Sequence, residues 1–96
     1  MKTKARFLFF QDVQLTDKND IPLRDDVLLK DGTILRFDDN GYLDGTIETG
    51  DGYVEFFRHG KLHGSPAVVS QDLKYSEHWN YGSLKKIVDN GKEEIY

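Results

Sequence analysis

Tyr53-Val54-Glu55-Phe56-Phe57-Arg58-His59-Gly60-Lys61-Leu62-His63-Gly64 is the stretch on which the fold turns. Six residues rich in aromatic and branched side chains run into His59-Gly60, and Leu62 resumes the apolar pattern. In an extended chain the side-chain period is two, so Tyr53 and Phe57, four apart, project from one face. Gly60 permits the backbone reversal that joins two strands. The same punctuation recurs outward, at Asp31-Gly32, Asn40-Gly41 and Gly50-Asp51-Gly52 on one side and Tyr81-Gly82 and Asn90-Gly91 on the other. Asn-Gly and Asp-Gly suit type I′ turns, whose twist matches that of paired strands. The expected class is therefore mainly β, an antiparallel β-meander of repeated hairpins. Strands are predicted over residues 5–15, 27–30, 33–37, 42–48, 53–58, 62–70, 73–80, 83–88 and 92–96.

Three segments align on a turn glycine: residues 34–45 on Gly41, 53–64 on Gly60 and 75–86 on Gly82. Each has an aromatic or branched residue seven before the glycine and Leu two after it. Tyr75 and Trp79 repeat the four-residue spacing of Tyr53 and Phe57, so stacked hairpins would line up an aromatic row that buries large area per residue. The middle segment resembles the MORN repeat through Tyr53, Phe57, Gly60, Lys61, His63 and Gly64. It departs at Glu55 and Pro66, where that family commonly has glycine. The third segment keeps Tyr75, Trp79 and Gly82 but has Lys86 at the closing glycine, and the first keeps Gly41 and Gly45. The resemblance covers about residues 33–92, and the degenerate form is similar to bacterial MORN-variant proteins, some labelled antitoxins. It implies a non-enzymatic scaffold or partner-binding role, and the family is also associated with membrane phospholipids.

Over residues 21–31 helix and strand compete. Asp20 suits a helix cap, Pro22 a first turn, Leu23, Val27 and Lys30 follow helical spacing, and Gly32 suits a helix end. Pro66, just after a turn, fits the start of a strand or an edge position. The chain of 96 residues has length for one domain, 1–96, with an N-terminal strand region over 1–32 ahead of the repeats.

Hydrophobic residues make up 38% and charged residues 31%, with six Phe, five Tyr and Trp79, proportions that suit a shallow sheet core. The formal charge of −4 argues against binding nucleic acid, which needs a basic footprint. No cysteine is present, so stability rests on packing and pairing and a reducing, cytoplasmic setting is the expectation. Lys2, Lys4 and Arg6 before Phe7-Leu8-Phe9-Phe10 imitate a signal peptide, but the apolar run stops at Gln11 and Asp12.

The candidates for chemistry are few. His59 and His63 are four apart but straddle a turn, and no HExxH pattern supports a zinc site. His78 lies between Glu77 and Trp79 on an expected strand and so faces away from both. Asp38, Asp39, Asp44, Glu48 and Asp51 gather at two turns without EF-hand spacing, and turns favour Asp for local hydrogen bonding. Ser65, Ser70, Ser76 and Ser83 sit in no nucleophile motif with an evident base. The expectation is a non-enzymatic protein-binding module with no cofactor and no metal, contacting a protein partner through Tyr53, Phe57, Tyr75, Trp79 and Tyr81. Edge strands near Ala5 and Tyr96 offer a route to a homodimer. The alternatives are a lipid-surface module using Lys61, Lys85 and Lys86, or a small metal-binding protein or enzyme using His59, His63 and His78.

Overall fold

His59 and Gly60 adopt φ of 47° and 86°, Tyr81 and Gly82 43° and 86°, and Asn90 and Gly91 50° and 84°. Two consecutive positive φ angles are what a type I′ turn requires. A second kind of turn alternates with these. Around 17–21, 29–33, 38–42, 49–53 and 70–74 the chain closes through a three-residue loop whose last member has positive φ: Asp20, Gly32, Gly41, Gly52 and Leu73. Four are closed by a backbone N–H four residues before its acceptor, as from Asp17 to Ile21, Leu29 to Thr33, Asp38 to Tyr42 and Thr49 to Tyr53. Side chains of Asp17, Asp31, Asp38 and Asp72 accept from the backbone N–H two residues on, which locks each bend. Asp31-Gly32 and Asn40-Gly41, expected as I′ pairs, belong to this second kind: their glycines alone have positive φ.

The computed structural model describes residues 11–96 and contains nine strands there. They are β1 Val27–Leu28, β2 Ile34–Leu35, β3 Gly45–Glu48, β4 Tyr53–Arg58, β5 Lys61–Leu62, β6 Gly64–Ser70, β7 Tyr75–Asn80, β8 Ser83–Asp89 and β9 Lys92–Ile95. Every pairing is antiparallel, in the order β1-β2-β3-β4-β6-β7-β8-β9, with β5 also on β4. This is the meander the sequence predicts.

The helical alternative over 21–31 is not adopted. Asp20 takes φ 63°, unlike a capping residue in the extended region, Pro22 forms an isolated bridge with Thr16, and Val27–Leu28 is strand. The strands predicted over 33–37 and 42–48 shorten to β2 and β3, and Phe37 meets Leu43 in an isolated bridge. The stretch predicted over 62–70 breaks at His63 into β5 and β6, and Pro66 lies inside β6 where the register to β7 shifts. Of the strand expected over 5–15, residues 11–15 form a turn and irregular chain instead, and the remainder, with the edge near Ala5, lies outside the described residues. No helix among the described residues is long and apolar enough to cross a membrane.

The core is one face of this sheet. Leu43, Ile47, Phe57, Leu62, Ala67, Val68 and Trp79 form a buried cluster, with Leu15, Leu35, Phe37, Tyr53, Tyr75 and Leu84 packed on it. Cross-strand register aligns Ile47, Glu55, Val68, Glu77 and Ile87 in a single buried row over five strands. Two carboxylates thus sit inside the apolar face. Glu77 accepts hydrogen bonds from Trp79 Nε1 at 2.8 Å and Tyr75 Oη at 2.5 Å, from residues that share its face.

Candidate functional site

The aromatic row lines up as expected, but it points inward. Phe57 and Trp79 are 5% and 3% exposed, and Tyr53 and Tyr75 pack on the cluster in an edge-to-face pair with centroids 6.0 Å apart. Side chains so placed anchor the sheet and leave little area for a partner. Tyr81 differs: it sits in a type I′ turn, and the residue is 54% exposed.

Three contacts hold that exposed ring. It stacks on His63 with centroids 3.9 Å apart and planes 26° from parallel. Arg58 Nη1 donates to its hydroxyl at 3.2 Å. The Tyr81 backbone N–H donates to His63 Nδ1 at 3.1 Å. That bond leaves the proton of neutral His63 on Nε2, as a donor. The repeat frame explains the geometry: β4 ends at Arg58, the turn returns through Lys61 and Leu62 to His63, and the β7–β8 turn brings Tyr81 alongside, its Gly82 N–H bonded to the Leu62 carbonyl at 2.9 Å.

Beside the stack lies a cleft of about 300 Å3 lined by His63, Ser65, His78, Trp79, Asn80 and Lys85. His78 lies on the face opposite Glu77 and Trp79, as expected from alternation, and Ser65 Oγ is 2.6 Å from its Nδ1. No sequence pattern announces this pair, because the contact depends on the register shift between Gly64 and Val68 in β6. Burial first, and then the Lys86 charge, hold the His78 imidazole below its ordinary value, with Glu93 opposing. Among the described residues no carboxylate lies within hydrogen-bond distance of His78 to orient it as a triad would.

The three histidines are not brought together. His59 Nδ1 lies 3.0 Å from Asp38 Oδ2, His63 serves Tyr81 and His78 faces Ser65. No cluster of three metal-ligating side chains occurs among the described residues. Asp38, from the acidic turns, is occupied by its own loop. Burial raises its pKa, but hydrogen bonds from His59 and from the backbone N–H groups of Asn40 and Tyr42 outweigh this and hold it below the usual value. The lysines singled out for a lipid surface are also partly engaged. Lys61 pairs with Asp12 at 2.8 Å and Lys86 with Glu93 at 3.6 Å.

No protein-family model, curated protein or solved structure matches the chain.

Proposed function

We propose that this chain is a non-catalytic, MORN-like protein-binding module of the cytoplasm, presenting Tyr81 and its supports rather than the whole aromatic row. The observation that carries the reading is the exposed Tyr81 ring, stacked on His63 and tied to Arg58. An aromatic held in place before binding loses little conformational freedom on association, and Tyr and Arg are the residues most often found at the energetic centre of interfaces. The other members of the row, the buried Phe57 and Trp79 and the half-buried Tyr53 and Tyr75, give the sheet its rigidity. The Ser65–His78 pair supports a binding role over a catalytic one, since among the described residues no carboxylate lies within hydrogen-bond distance to orient the imidazole.

The test is site-specific photocrosslinking from position 81 in native lysate, followed by rebinding of the purified partner. Tyr81→Ala is expected to weaken that complex roughly 30-fold, the effect of losing an interface centre worth about 2 kcal/mol, at unchanged melting temperature. A partner captured equally well by Tyr81→Ala and Arg58→Ala would remove the reading.

A further inference from the structure

We infer that the cleft beside Tyr81 receives a short acidic segment of a protein partner, with Lys85 and Arg58 meeting its carboxylates; this rests on the protein-binding reading above. The chain carries 17 acidic residues against 13 Lys and Arg, yet none of the cleft's lining residues is acidic. Most of its polar groups there are donors or can donate: Lys85 Nζ, the Asn80 amide, the Ser65 hydroxyl and His63 Nε2.

Two cations at this place lack a carboxylate partner. Lys61, Lys86 and Arg36 each have a carboxylate partner, at 2.8, 3.6 and 3.5 Å. Lys85 and Arg58 have none among the described residues. Lys85 owes its position to the β7–β8 register, which pairs His78 with Lys86 and Trp79 with Leu84, so that Lys85 is the extra residue of a bulge. Arg58 is outside the lining itself and donates to the hydroxyl of Tyr81, whose ring stacks on the lining residue His63. A guanidinium, an ammonium and neighbouring neutral donors match a carboxylate-bearing peptide. Membrane recognition by charge uses clusters of about four to eight basic residues, more than this surface offers.

The full chain would be titrated with a fluorescein-labelled peptide of glutamate alternating with serine, and with its glutamine counterpart, by fluorescence anisotropy. The glutamate peptide should bind about tenfold more tightly at low salt, and the advantage should vanish near roughly 0.5 M salt, where charges are screened beyond a few ångströms. Lys85→Glu and Arg58→Glu should each abolish the preference without moving the melting temperature. Equal affinity for the two peptides, or a preference that survives Lys85→Glu, overturns the inference. So does uptake by phosphatidylserine vesicles with the peptide left unbound. A partner lost on Tyr81→Ala but retained on Lys85→Glu leaves the protein-binding reading standing and removes only the acidic segment. Retention on both removes the two together.

Discussion

Replacing Glu77 by Gln tests whether the buried carboxylate stabilises the sheet or weakens it. Glu77 is fully buried and accepts from Tyr75 Oη at 2.5 Å and Trp79 Nε1 at 2.8 Å. Hydrogen bonds to an ionised group contribute about 1.5–3 kcal/mol each, against about 0.5–1.5 for neutral partners. Gln keeps the shape and one acceptor, so the two bonds together should lose about 2–3 kcal/mol. With a urea dependence of about 1–2 kcal/mol per molar for a chain of this size, the unfolding midpoint should fall by about 1–3 M. Trp79, the sole tryptophan and 3% exposed, reports the transition by fluorescence, and far-ultraviolet circular dichroism gives a second probe. The opposing effect is the cost of keeping a charge out of water, several kcal/mol, which Gln relieves. An unchanged or higher midpoint for Glu77→Gln would refute the argument and show that desolvation outweighs the two bonds.

Leu73 holds φ 63° and is 79% exposed, a backbone region costly for a β-carbon in a residue that buries little. Leu73→Asn should raise stability by about 1 kcal/mol, visible as a rise in melting temperature of about 4–8 °C for a domain of this size; a fall would contradict the strain. For pH, His78 and Asp38 each have a folded value below the unfolded one, so as pH falls the unfolded chain takes up protons before the native one and stability drops. The His78 loss should begin as pH falls through its ordinary value of 6.5, and the Asp38 loss should follow below 3.8. Urea midpoints measured across that range should show two declines, and His78→Gln should flatten the upper one alone.

Hairpins were legible because their signals are local. A pair such as Asn90-Gly91 states its turn type in two residues, and β4, β8 and β9 fall within a residue of their predicted limits. The second kind of turn was not legible, because Asp20 and Leu73 take positive φ without a glycine to announce it, and misreading Asp20 is what kept a helix in contention. The four-residue spacing puts the aromatic row on one face but does not say how far each ring is covered. Its face reads Tyr53, Glu55, Phe57 on β4 and Tyr75, Glu77, Trp79 on β7, and a central carboxylate looks like a solvent signal. Tyr75 and Trp79 bury Glu77 by bonding to it, a tertiary fact no alternation pattern contains. The Tyr81 site was half legible: Tyr81 was singled out, while Arg58 and the Ser65–His78 contact depend on inter-strand register.

The order of the strands also sets how the chain reaches its fold. All-β proteins are usually slow folders because their partners lie far apart in sequence. Here each strand from β1 to β9 pairs with a strand adjacent in the chain, or one removed where β5 steps aside, so every pairing step closes only a short loop. Loop closure of that length is fast and entropically cheap, so the sheet can be zipped one hairpin at a time. During synthesis each strand meets its partner soon after leaving the ribosome, before a distant sequence is needed to complete it.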